Sequence, residues 1–399
     1  MKRLIRYFLP WRRAKAVSLA AGQLAGRLLP LRNSSGLFFF FPFYQVGGAE
    51  KVHADIVSCV SDRHPWVFFT NRSKDAAFKP LFEKSARLFD ISFLTLGSLR
   101  YYAYIGALAA LINRHEKATV FGCNTVLFYD LLPRLRKDVR RLDLLHAFGG
   151  EIEHVSLPVV ASLDTRVIFS SQVLADLKNQ YSAEGVDAAL LKRITFIDNQ
   201  VAVPDNYPAK QRSNRLQVLY VGRGAPEKRV HLVGRVAALA RSAGLDADFI
   251  LVGDLNSLIE AEHLSACTLK GEIADPAELS ALYESADVLL LTSSREGFPL
   301  VIMEAMAQGV VPISTDVGGI SDHVKHEMNG LLISGQSEDD IVKAMVSMIA
   351  RLNRNRSQLE GMSRRAYRYA REHFTQQRFC KAYRQLLLNE EPDKSGDEQ

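Results

Sequence analysis

Four cysteines and ten histidines are scattered through 399 residues with no metal-ligand spacing among them. Cys59, Cys123, Cys267 and Cys380 lie far apart in predicted strands or helices, so they read as reduced thiols of a cytosolic protein. G-x-S-x-G, P-loop and dinucleotide G-x-G-x-x-G patterns are missing, and hydrolase, phosphoryl-transfer and dehydrogenase readings lose their main support. No uninterrupted run of about 20 apolar residues occurs, which argues against a spanning helix. Acid is lacking in residues 1–32, where Lys2, Arg3, Arg6, Arg12, Arg13, Lys15, Arg27 and Arg32 alternate with Tyr7, Phe8, Trp11 and leucines. Such a segment suits an anionic membrane surface, cations at the headgroups and apolar side chains at the boundary. Its long basic region and Gln23 argue against a signal peptide. A solvated basic arm is the plainer alternative; nucleic acid is disfavoured because no binding motif accompanies the charge.

What is present is enough for sizeable cores, with 47% hydrophobic residues. Strand and helix signals alternate in both halves, which predicts two doubly wound α/β layers. The expected boundaries are a basic N-terminal segment 1–33, a domain 34–205, a second domain 206–370, a helical stretch 371–388 and an acidic disordered tail 389–399. VPDNYPAKQRSN (203–214) supplies the linker.

The second half carries the most informative run, EGFPLVIMEAMAQG (296–309). ADVLLLTSS (286–294) before it reads as a buried strand, Gly297 and Pro299 break it, Leu300 to Gln308 is helical, and VVPIST (310–315) is the next strand. Such a crossover places its ligand beyond the carboxyl ends of the strands. Glu296 then lies on the loop and Glu304 on the first turns of the helix, while the backbone N–H groups of Gly297, Phe298 and Leu300 face an anion. In VLYVGRGAPEKRVHLVGRVAALA (218–240), Arg223 and Lys228 fall on the loop between a strand and a helix.

These two elements resemble, residue for residue, the G-R-x-x-x-E-K and E-x7-E motifs of the family-4 retaining glycosyltransferases, closely from residue 216 to 333. The resemblance implies the GT-B fold, two Rossmann-like domains facing across a cleft. It implies that Arg223 and Lys228 grip the diphosphate of a nucleoside-diphosphate sugar in place of a metal, that Glu296 holds hexose hydroxyls and that Glu304 holds the ribose. A carboxylate accepts at two oxygens and so suits neighbouring hydroxyls. Backbone groups near Gly271 and Ile273 would line the base, and the stretch 371–388 would cross back onto the N-terminal domain. No cofactor and no metal are expected. Leu255 stands where relatives often carry a second glycine. Asp246 and Asp248 form a D-x-D pattern at a strand start, far from the donor loop, and read as a turn.

In the first half, LFFFFPF (37–43) reads as strand one, followed by Gln45-Val-Gly47-Gly48-Ala-Glu50-Lys51 opening a helix. The glycines let backbone approach a ligand, and the run resembles the family's G-G-A-E loop, with Gly48 facing the donor. His146 ends the strand LDLLH; it serves either as a packing residue or, by resemblance, as a donor to the sugar or its departing oxygen. Ser170 and Ser171 suit a helix cap. The expected activity is retaining, metal-independent hexosyl transfer to a glycan or lipid-linked glycan in surface polysaccharide or lipopolysaccharide assembly, by an enzyme peripheral to the inner face of the cytoplasmic membrane. A sugar-nucleotide epimerase and a catalytically silent assembly partner are the alternatives.

Overall fold

The computed structural model describes residues 2–28, 35–208, 210, 213–273, 275–335 and 337–390, with side chains of the first helix from Trp11 onward. The expected acidic tail beyond residue 390, the side chains of Lys2, Arg3, Arg6, Tyr7 and Phe8, and Arg32 lie outside the described residues.

The chain divides into two compact units. One comprises residues 1–168, 174–197 and 380–399; the other comprises 169–173 and 198–379. Each is built on one parallel sheet. The first unit contains β1 (Leu37–Phe41), β2 (Trp66–Phe69), β3 (Arg87–Asp90), β4 (Thr119–Cys123), β5 (Arg140–Leu145), β6 (Thr165–Ile168) and β7 (Ile194–Phe196), in the order β3-β2-β1-β4-β5-β6-β7. The second contains β8 (Leu216–Val221), β9 (Ala247–Val252), β10 (Thr268–Gly271), β11 (Val288–Leu291), β12 (Val311–Thr315) and β13 (Leu331–Ile333), ordered β10-β9-β8-β11-β12-β13. In both sheets the strand order reverses beside the first strand, β1 against β4 and β8 against β11. That switch point is where a doubly wound sheet opens for a ligand. Central strands are buried on both faces, as for Val288 to Leu291, which explains their continuous apolar runs.

The cysteine expectation needs correction. Cys59 and Cys380 form a disulfide across 321 residues of sequence, because the end of helix Gly48–Ser58 meets helix Gln376–Leu388 with Cα atoms 4.9 Å apart. Cys123 and Cys267 are free. Cysteine usage therefore no longer argues for a reducing compartment.

Helix Lys2–Leu28 is packed along one face against helix Leu99–Ile112. A Cβ at Gly22 would collide with the carbonyl of Ala103, one at Gly26 with that of Ala107, and one at Gly106 with that of Leu19. The backbones touch because the contact residues are small. Lys15 lies over the Tyr102 ring at 4.7 Å, and Arg114 donates to the Gly26 carbonyl at 3.4 Å. Trp11, Val17, Leu24 and Leu28 remain exposed, with Arg12, Arg13 and Arg27. No helix among the described residues is long and apolar enough to cross a membrane.

The helical stretch expected over 371–388 takes in the end of one helix, Arg356–His373, and the whole of another, Gln376–Leu388. The break falls at Phe374, a fully buried ring whose carbonyl accepts the Val201 N–H at 3.0 Å and so leaves the helical ladder.

Candidate functional site

In the second unit, the loops after β8, β11 and β12 are laced together by hydrogen bonds. The Thr292 hydroxyl donates to the Lys228 carbonyl at 2.9 Å, and the Arg229 guanidinium donates to the carbonyls of Thr292 and Ser293 at 2.7 and 3.0 Å. Arg229 itself has φ +45°, a left-handed conformation that a non-glycine residue holds only when its surroundings fix it. Gly319 N–H donates to the Gly297 carbonyl at 2.7 Å. Gly318, at φ +62°, passes so close to the Glu296 carbonyl that a side chain there would collide with it. The glutamate loop is therefore held from both sides by backbone.

Within this frame the Lys228 ammonium sits 2.6 Å from Glu296 Oε1, and the Ser293 hydroxyl donates to the same oxygen at 2.6 Å. The side chains are 18% and 8% exposed, so this is a largely desolvated pair. The resemblance assigned these two side chains to different parts of a donor; here each is the other's partner. Arg223 is exposed, and among the described residues its side chain has no hydrogen-bond or ion-pair partner. Pro299 takes the capping position of helix Leu300–Ala307, with ψ +132°. Among the described residues, no protein acceptor takes the N–H groups of Gly297, Phe298 or Leu300. Three donors at a helix start suit an anionic oxygen.

Glu304, one turn into that helix and partly buried, accepts from the Tyr283 hydroxyl at 2.9 Å. Burial, then the Glu304 charge, holds the Tyr283 phenol protonated far beyond its usual range. Phe298 is buried and stacks on His323 with centroids 4.3 Å apart; burial lowers His323 to about 4, so a neutral ring supports the loop. The Tyr220 hydroxyl lies beneath Gly222, buried and without a hydrogen-bond partner among the described residues. Burial, reinforced by the charges of Glu296 and Glu227, raises its pKa.

Glycine lines the carboxyl ends of β8, β9 and β10. Gly253, at φ +134°, presses on the Gly222 carbonyl and donates to the Gly271 carbonyl at 2.8 Å. Gly271 has φ +70° and open space where a Cβ would stand, and Ile273 is partly buried against the core. Leu255 is buried, so the position uses a side chain for packing at φ −122° and has no need of a second glycine. Asp246 and Asp248 bind Arg215 at 3.3 and 2.8 Å at the amino end of β9, the opposite end from these loops.

In the first unit, helix Gly48–Ser58 follows β1, and Glu50 folds back over Gly47, which leaves no room there for a side chain. Gly47 is extended, with φ 175°, so its backbone does not call for glycine, and the near contact is with the end of the Glu50 side chain. His146 follows β5 directly and its Nε2 lies 3.0 Å from Nε2 of His53. With Cys123 at the end of β4, the two histidines bring three ligand-type atoms within 4.8 Å of one another, a grouping hidden by their separation in sequence. Ser170, which belongs to the second unit, accepts the Val173 N–H at its Oγ at 3.3 Å, a helix cap.

Sequence reasoning missed Ser293, Tyr283, Gly318, Gly319 and His53. Gly318 and Gly319 carried a usable signal, since a glycine pair straight after a strand is what marked Gly47 and Gly48. Tyr283 and His53 stand at apolar helix faces and carried none.

Residues 205–372 match the family described as glycosyl transferases group 1. A D-inositol 3-phosphate glycosyltransferase of Rhodococcus erythropolis is 29% identical over 185 residues, 43% of this chain and 42% of that protein. The matched stretch thus spans less than half of this curated relative. HepE of Anabaena, solved in complex with UDP, superposes with a TM-score of 0.69 at 20% identity, covering 89% of this chain and all of that one (100%). The lipopolysaccharide outer core galactosyltransferase WaaB, in its apo form, gives 0.68 at 18% identity, covering 88% of this chain and 99% of that one. The fold is GT-B, two parallel-sheet α/β units.

Proposed function

We propose that this chain, with a second unit that matches group 1 glycosyl transferases and carries Lys228 and Glu296 on facing loops and Glu304 on the helix that follows, is a retaining, metal-independent hexosyltransferase. Its donor is a nucleoside-diphosphate sugar and its acceptor a glycan or lipid-linked glycan. The observation that carries this reading is the Lys228–Glu296 pair at 2.6 Å, with Arg223 exposed on the same loop as Lys228. Arg223 and Lys228 meet the charge that builds on a departing diphosphate; fixed cations do so without reorganising. Glu296, released from Lys228 when the diphosphate arrives, accepts from hexose hydroxyls, and Glu304 accepts from the ribose. The departing phosphate serves as base for an acceptor attacking on the same face, so no protein nucleophile is needed. HepE has been solved with UDP and with UDP-glucose, which makes UDP-hexoses the first donors to try.

Radiolabelled nucleotide sugars tested against membrane lipid acceptors should give transfer that persists in EDTA. Complete loss in EDTA, restored by manganese, would contradict the assignment of the diphosphate charge to Arg223 and Lys228.

The acceptor reading extends to an anionic membrane surface and peripheral attachment to the inner face of the cytoplasmic membrane. Supporting it are Val17, Leu24 and Leu28, exposed on the helix face turned away from Gly22 and Gly26, with Arg12, Arg13 and Arg27 also exposed. Replacing the three apolar residues together by glutamate should weaken binding to anionic vesicles by about tenfold or more, since each buried apolar side chain is worth about 1.5 to 3 kcal/mol. Nucleotide affinity should not change. Vesicle partition equal to that of the unsubstituted chain would end the membrane reading. Deleting the helix is a poorer test, because it also uncovers Gly106 and its neighbours.

A further inference from the structure

We propose that His53 is a positioning residue, whose Nε2–H donates to His146 and holds it as the neutral Nδ1–H tautomer. The inference rests on the reading of His146 as a hydrogen-bond donor to the sugar or its leaving oxygen, and adds how that donor is set.

The two Nε2 atoms are 3.0 Å apart, so one of them carries the hydrogen and the other accepts it. His53 is wholly buried on helix Gly48–Ser58, its ring stacked on Phe41 at 4.2 Å between centroids and 6° between planes. Its Nδ1 is buried with no hydrogen-bond partner. A hydrogen placed on that Nδ1 would be a buried donor with nothing to receive it, whereas a hydrogen on Nε2 leaves Nδ1 with only an unshared lone pair. The stranded donor is the costlier arrangement. His53 is therefore the donor and His146 the acceptor at Nε2, which moves the hydrogen of His146 to Nδ1.

A charged ring is disfavoured on either side. Burial lowers His146 to about 4, and burial followed by the charge of His146 takes His53 well below its ordinary value. Cys123 gives no compensating anion, since burial, with Asp143 and Glu50 adding to it, keeps the thiol protonated. Both rings are neutral at pH 7, and their two tautomers are locked to each other. A transferring sugar has oxygen acceptors on its hydroxyls and on the bond being broken. For these the Nδ1–H form is the useful one, and no proton needs to leave the protein.

Nitrogen-15 NMR of histidine-labelled protein at pH 7 tests this without substrate. His146 should show a protonated Nδ1 and a bare Nε2, and His53 the reverse. His53→Phe keeps the stack on Phe41, removes the donor and should free His146 to populate both tautomers, with kcat about tenfold to a hundredfold lower and donor KM within about threefold. His53→Gln, which retains an N–H donor, should recover much of the turnover. A His146 with its hydrogen on Nε2 in the unsubstituted protein overturns the proposal, as does a His53→Phe variant with unaltered tautomer and turnover. If no donor supports transfer while the tautomers are as stated, the reaction assignment falls and the His53 assignment stands.

Discussion

Arg223→Ala should lower transfer turnover by about a hundredfold to a thousandfold, the range for loss of one fixed group that stabilises developing charge. Its melting temperature should not move, because Arg223 is exposed and no other described side chain depends on it. Lys228→Ala should cost turnover to a similar degree and stability as well. It leaves Glu296, 8% exposed, with Ser293 as its one remaining hydrogen-bond partner among the described residues. Leaving a buried charge short of a partner costs about 1 to 3 kcal/mol or more. Steady-state rates beside thermal melts separate the two. Equal turnover in Arg223→Ala and the unsubstituted protein would remove that cation from the reaction, and an unshifted melt in Lys228→Ala would show the pair to be of no structural value.

Glu304→Ala should weaken both the free nucleoside diphosphate and the nucleotide sugar by roughly tenfold to a hundredfold, since a hydrogen bond to a charged group is worth about 1.5 to 3 kcal/mol. Glu296→Ala should spare the free nucleotide and act on transfer, where its contact tightens as the bond breaks. Tyr283→Phe is the control that the fold supplies. The Tyr283 hydroxyl donates to Glu304 at 2.9 Å, so Glu304→Ala strands a buried phenol, and part of any loss reflects that. The double variant Glu304→Ala with Tyr283→Phe should regain stability yet still bind nucleotide weakly. Calorimetry decides the matter: undiminished nucleotide affinity in the double variant would rule out the ribose assignment.

The strands that position these residues were legible because each is a short apolar run closed by glycine or a polar turn. Gly309 was readable as a helix stop, and at φ +67° it does close helix Leu300–Ala307, with the Val310 N–H returning to the Ala305 carbonyl at 2.8 Å. Partnerships across the fold were not legible. Nothing in the spacing of 68 residues between Lys228 and Glu296 shows that they meet. The same holds for Cys59 with Cys380, which join two helices across 321 residues of sequence, and for His53 with His146, where the helix after β1 meets the end of β5. In the basic N-terminal segment the packing partner was the illegible part: Gly22 and Gly26, which seat one face of it on a neighbouring helix, look like ordinary small residues in an alanine-rich run.

The last helix has a consequence for the order in which the chain is finished as it is made. Residues from Cys380 onward belong to the first unit: Tyr383 packs against Phe121 with ring centroids 6.2 Å apart, the Thr119 hydroxyl donates to the Leu387 carbonyl at 3.2 Å, and Arg384 binds Asp62. A ribosome adding about 5 to 20 residues per second emits the whole of 198–379 before that helix is complete, a delay on the order of ten seconds or more. During this interval the second unit has its complete sequence and the first does not, so the half synthesised first is completed last. Until then Phe121 lacks the Tyr383 ring that packs against it, and the Thr119 hydroxyl lacks the Leu387 carbonyl to which it donates.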